Sequence, residues 1–90
     1  MEATIEISLY PLQDNYKEQV KQFIKKIRLH QNLRIESNGM STQIFGQYDD
    51  IMNVLMVDIR ETLEIQPAMF VLKIGKGILR FDTNELDEQL

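Results

Sequence analysis

Ninety residues supply one hydrophobic core but not two, so the chain, 1–90, is expected to fold as a single domain. Ten basic against fourteen acidic residues give a net charge of −4, which disfavours a nucleic-acid backbone as partner. With no cysteine there are neither disulfides nor thiolate metal sites, and a hydrophobic share of 43% argues against disorder.

The first nine residues carry acids and lack the basic start of a signal peptide, so the expected location is the cytoplasm. No run of about 18 apolar residues exists, so no membrane insertion is expected. A domain this small buries a modest share of its surface, which makes a homo-dimer or homo-tetramer the natural expectation.

Residues 3–10 alternate, with Ile5, Ile7 and Leu9 on one side and Thr4, Glu6, Ser8 and Tyr10 on the other. They read as a strand ended by Pro11. Asn15 with Glu18 three residues later forms a capping box, and Tyr16, Val20, Phe23, Ile24 and Ile27 then share one helical stripe. Lys17, Lys21, Lys25, Lys26 and Arg28 read as the solvated face of that helix. It is predicted to run to about His30, with Asn32 in a left-handed turn beyond it. Residues 33–38 form a second strand with Leu33 and Ile35 inward. Asn38-Gly39 predicts a tight turn through positive φ, and residues 40–47 return as a third strand.

Asp49 and Asp50 open a second helix, where acids complement the helix dipole. Its stripe is Ile51, Met52, Leu55, Ile59 and Leu63. Val54, Met56 and Val57 widen it, as in a well-buried helix or a subunit contact. Pro67 stops this helix, residues 68–74 form a fourth strand, and Gly75-Lys76-Gly77 breaks it. Residues 78–81 suit a short fifth strand, and the acidic tail, 82–90, a weak helical turn.

The order β-α-β-β-α-β predicts an α+β sandwich of the split βαβ kind, two helices on one face of a four-stranded antiparallel sheet. The other sheet face would carry Glu6, Ser8, Arg34, Glu36, Gln43, Phe45, Val71 and Lys73. That mixture is too apolar to stay wholly wet, and pairing with another subunit's sheet or edge strand would resolve it.

Groups that carry chemistry are sparse. One histidine, His30 at a helix end, cannot build a nitrogen or sulfur metal site, and Asp49 and Asp50 fit no calcium loop. No serine sits in a nucleophile elbow, and Gly75-Lys76-Gly77 lacks a phosphate-loop pattern. The expectation is a protein with no catalytic residue, no metal and no cofactor, which binds rather than reacts.

The richest stretch is Ser37-Asn38-Gly39-Met40-Ser41-Thr42, with hydroxyls, an amide and a thioether around one hairpin. Together with Tyr10-Pro11-Leu12 at the end of the first strand, then Gly46 and the acidic start of the second helix, it resembles the thiamine-binding, or YkoF-like, family over roughly residues 3–75. Two departures stand out. Phe45 occupies a place where that family often has Glu, and Ile65-Gln66-Pro67-Ala68-Met69 replaces a common Gly and Arg.

The resemblance implies a ferredoxin-like fold and non-enzymatic binding of thiamine or its hydroxymethylpyrimidine moiety. An aminopyrimidine needs a flat apolar slot with a few fixed polar groups at its rim. The hydroxyls of Ser41 and Thr42 and the amide of Asn38 are then expected to read the ring. Met40 and Tyr10 would cover its face, and Ser8 would join them. Glu6 either accepts from the amino group or pairs with Arg34. The alternatives are a ferredoxin-like regulatory or protein-interaction domain without a small ligand, and a small ferredoxin-like enzyme.

Overall fold

The computed structural model describes residues 1–81. Strict alternation in the N-terminal residues produces strand β1 (Glu2–Pro11), which takes an interior place in a sheet of order β2-β3-β1-β4. Helix α1 is Tyr16–Ile27, β2 is Arg34–Ser37, β3 is Thr42–Gln47, α2 is Tyr48–Ile65 and β4 is Ala68–Lys76. Every pairing is antiparallel, and the whole is an α+β, ferredoxin-like βαββαβ sandwich. Among the described residues no helix is long and apolar enough to cross a membrane.

Register puts Ile35, Ile44, Ile5 and Ile74 in one row across the sheet. Against that inner face pack Phe23 and Ile27 of α1 and Ile51 and Leu55 of α2. Ile5, Ile7, Ile27, Ile44, Ile51 and Leu55 are fully buried, each contributing about 1.5–3 kcal/mol of transfer free energy. Phe23 also meets Phe70 of β4, ring centroids 5.1 Å apart and tilted by 54°. Val54 packs on this core, whereas Met56 and Val57 are more than half exposed.

Several local expectations are corrected. Asn15 sits at φ 71° in the left-handed region with no side-chain cap, so the capping box does not form. A cap needs an extended backbone at that residue, and Glu18 instead accepts from Gln22 Nε2 at 2.9 Å. α1 ends at Ile27, because Leu29 N–H reaches Lys26 O (3.3 Å) and His30 N–H reaches Ile27 O (3.1 Å), a tightened last turn. Asn32 is not left-handed; among the described residues Asn15 is the one non-glycine with positive φ.

The β2–β3 turn also forms without positive φ at Asn38 or Gly39. Asn38 Oδ1 accepts from the N–H groups of Met40 (2.8 Å) and Ser41 (3.1 Å), and Asn38 N–H donates to Ser41 O at 3.1 Å. A side-chain carbonyl that stands in for the backbone acceptor removes the need for a left-handed residue. β3 therefore starts at Thr42, two residues later than its alternation predicts.

β4 continues through Gly75 to Lys76 and turns at Gly77, where φ is 87°. No fifth strand forms over 78–81. This segment instead lies back on the outer sheet face. Gly77 N–H donates to Glu2 O, Thr4 Oγ1 donates to Gly77 O and accepts from Leu79 N–H, and Arg80 Nε donates to Glu36 Oε1, each at 2.8 Å. Leu79 lies so close over Gly75 that a Cβ there would meet its Cδ1 at 2.6 Å. Phe45, beside Thr4 in register, is only 5% exposed. The chain itself thus covers part of the face that the sequence assigns to another subunit. The turn expected over 82–90 lies outside the described residues.

Candidate functional site

The two neighbours of β1 do not match it in length. β4 follows β1 to Pro11, pairing Ser8 with Val71, Leu9 with Phe70 and Tyr10 with Met69, but β3 begins at Thr42, opposite Ile7. Beyond Ile7 the sheet has a notch on the β3 side. Met1 O accepts from Tyr48 N–H, whereas Glu2 O accepts from Gly77 N–H and Leu12 N–H donates to Pro67 O. Odd-numbered residues of β1 therefore turn their backbone groups toward β3 and even-numbered ones toward β4. Leu9 is odd, and its N–H and C=O face the notch with no strand opposite them.

The notch opens into a groove of about 540 Å³. Ile7 and Leu9 of β1 and Val20, Phe23 and Ile24 of α1 supply its apolar surface, and the 38–42 hairpin closes one side. All six sequence-predicted residues, Ser8, Tyr10, Asn38, Met40, Ser41 and Thr42, line this one groove. Met40 (86% exposed) and Tyr10 (53%) stand at its mouth as exposed apolar covers. Sequence reasoning missed the α1 wall, namely Tyr16, Lys17, Val20, Lys21 and Ile24. Tyr16 carried a signal: it begins the apolar stripe two turns before Phe23, the first buried residue of α1, and so reaches past the core; in the structure it is 55% exposed.

Hydrogen bonding divides the polar residues by spare capacity. Ser41 Oγ donates to Glu6 Oε2 at 2.9 Å and accepts from Gln43 Nε2 at 2.8 Å, so its hydroxyl is held by the hairpin. Asn38 Oδ1 is likewise taken, which leaves the Asn38 side-chain NH2 as the donor that can face a ligand. Thr42 and Ser37 share one bond at 3.0 Å between their hydroxyls, so one of the two protons remains to be donated. Ser8 Oγ reaches Met40 O only at 3.5 Å, the loosest contact of the set.

Glu6 lies beside this network on the outer face. The Ser41 hydroxyl holds its carboxyl below the ordinary carboxylate range; partial loss of water opposes this, and the Lys73 ammonium, 3.6 Å away, adds to it. The expected partner Arg34 is two strands away and pairs with Glu36 at 3.2 Å. Glu36 is itself lowered, chiefly by the hydrogen bond from Arg80.

A second polar cluster ties the helices together. Asp58, 4% exposed on α2, faces His30 Nε2 at 3.8 Å and Lys26 Nζ at 4.0 Å, and Lys26 also bonds Glu61. His30 therefore faces α2. A smaller cavity of about 370 Å³ lies between α1 and α2, lined in part by Lys26 and Gln66. Among the described residues no group of three or more His, Asp or Glu side chains is placed to hold a metal ion.

No protein-family profile matches the sequence, nor does any curated protein sequence. Solved structures do match. Protein SP2199 from Streptococcus pneumoniae superposes with a TM-score of 0.79 at 18% identity, covering 97% of this chain and 99% of that one. TM0486 from Thermotoga maritima, provisionally named a thiamine biosynthesis/salvage protein, gives 0.75 at 17% identity over 99% of this chain and 98% of its own. A domain of unknown function, DUF77, from Bacillus cereus gives 0.67 at 20% identity over 86% and 77%. At these identities the likeness establishes the fold, and function has to be argued from the groove.

Proposed function

We propose that this chain is a thiamine-binding, YkoF-like protein that holds thiamine or its hydroxymethylpyrimidine moiety in the β1–α1–hairpin groove and does not transform it. The observation that carries this reading is the notch. Leu9 offers an N–H and a C=O side by side at the wall of an apolar slot, a pairing that suits the adjacent ring nitrogen and amino group of an aminopyrimidine. The Asn38 NH2 and the Thr42 hydroxyl add further fixed polar groups, and Tyr10, Tyr16 and Met40 are free to close over the ring. The fold shared with the Thermotoga maritima protein is in keeping with the ligand class.

Thermal-shift titration with thiamine and with hydroxymethylpyrimidine tests it. A ligand at a hundred times its dissociation constant adds about 2.7 kcal/mol. In a domain of this size that raises the midpoint by on the order of 10–20 °C. No shift with either compound at millimolar concentration refutes the reading.

A second reading, protein contact, is favoured by β4. It is an open sheet edge on which Met69, Val71 and Ile74 are each more than half exposed. The occupant we assign is a second copy of this chain, pairing edge to edge to build a dimer or, by a further contact, a tetramer. Light scattering that finds a monomer throughout the high-micromolar range contradicts it.

A further inference from the structure

The groove has a local charge opposite to that of the protein. Two charged side chains line it, Lys17 and Lys21, and no carboxylate does. They stand one helical turn apart on α1, on the same side as Val20 and Ile24, and both are exposed. Among the described residues neither forms a salt bridge, whereas Lys26 on the same helix is engaged by Asp58 and Glu61 and Lys73 by Glu6. Of the carboxylates nearby in the fold, Glu6 is held by Ser41 and Lys73 and Glu18 accepts from Gln22, while Asp14, just before α1, is exposed and none of the three lines the groove. The start of α1 lies at the same rim, because Tyr16 and Lys17 are its first two residues, and no side chain caps it. Its unsatisfied N–H groups add partial positive charge there.

We infer that the ligand of this groove is an anionic derivative, a phosphate ester of a planar heteroaromatic such as the hydroxymethylpyrimidine, with the ring in the apolar slot and the phosphate between Lys17 and Lys21. This rests on the pyrimidine reading above and sharpens it. An uncharged pyrimidine leaves both ammonium groups without a counter-charge. The cationic thiazolium of unphosphorylated thiamine would meet two like charges if it pointed toward α1.

Calorimetry at low salt compares hydroxymethylpyrimidine with its monophosphate, thiamine with thiamine monophosphate, and inorganic phosphate alone. The monophosphates are expected to bind about tenfold tighter than their parent alcohols, the scale of two charge-assisted contacts at an exposed rim. In Lys17→Gln/Lys21→Gln that ratio falls to near one, and in the unaltered chain it shrinks as salt is raised. Both positions are exposed and glutamine is a good helix former, so the variant is expected to keep its fold, with circular dichroism as the check.

Esters that bind no better than alcohols, or a preference that survives the double substitution, overturn the inference and leave the pyrimidine reading standing. Inorganic phosphate binding as tightly as the esters also overturns it, since the ring slot would then contribute nothing. Binding of neither alcohols nor esters overturns both readings.

Discussion

Thr42 is the residue at which stability and recognition can be separated. Its side chain is 5% exposed, opposite Ile7 in β1, and its hydroxyl shares a 3.0 Å bond with Ser37 Oγ. Thr42→Val keeps the shape and the buried methyl but removes the hydroxyl. The loss is one neutral hydrogen bond, about 1 kcal/mol, because Ser37 is half-buried and its hydroxyl can turn to water. A domain of this size then melts about 4–8 °C lower. Ser37→Ala breaks the same bond from the other end and leaves the Thr42 hydroxyl buried without its partner, so it costs at least as much, about 1–3 kcal/mol.

For the ligand the order reverses. Thr42→Val removes a group that faces the groove and is expected to weaken pyrimidine binding about fivefold to tenfold, whereas Ser37→Ala frees that group and leaves affinity equal or improved. Thermal denaturation paired with calorimetry on both variants reads the two effects. Equal loss of affinity in both, or no loss in Thr42→Val, refutes the assignment of this hydroxyl to the ligand and makes it purely structural.

Ile44→Ala removes a fully buried side chain from the row joining β2, β3 and β1 and is expected to cost about 2–5 kcal/mol in urea unfolding, a large share of the stability of a domain this size. A midpoint within a few degrees of the parent would contradict the core assignment. The Glu6 carboxyl is depressed, so its contribution is present above the ordinary carboxylate pKa and lost as pH falls through the folded value. In Ser41→Ala the main cause is gone, and carboxyl-carbon NMR titration should show the Glu6 pKa move upward; an unchanged titration shows that Lys73 and Gln43 set it without Ser41. Thr4→Val removes both side-chain bonds that hold 77–79 on the sheet. The Leu79 amide should then exchange with solvent markedly faster than the core amides of β1, and unaltered exchange would mean that the segment is held by other contacts.

The sheet was legible in the sequence because a period of two leaves little choice: Ile5 and Ile7 have to face the helices if Thr4 and Glu6 are to face away. What escaped was decided by single side chains acting on backbone. Asn38 replaces a left-handed turn with its own carbonyl, and Thr4 captures a segment more than seventy residues further along the chain; neither leaves a periodic trace. The hairpin half of the groove was readable as a concentration of hydroxyls and amide. The α1 half was not, because Lys17 and Lys21 look no different in sequence from Lys25 or Lys26. Only the difference in length between β3 and β4 along β1 reveals which lysines overlook an opening.

The central claim is that the notch beside Leu9 is a pyrimidine site, and amide-resolved NMR titration tests it most directly. On adding hydroxymethylpyrimidine or its monophosphate, the Leu9 amide, the Asn38 side-chain NH2 and the Met40 amide should shift together and saturate with one dissociation constant. β4 and the exposed face of α2 should stay still. Saturable shifts confined to α2 and β4, or none at millimolar ligand, would contradict the account.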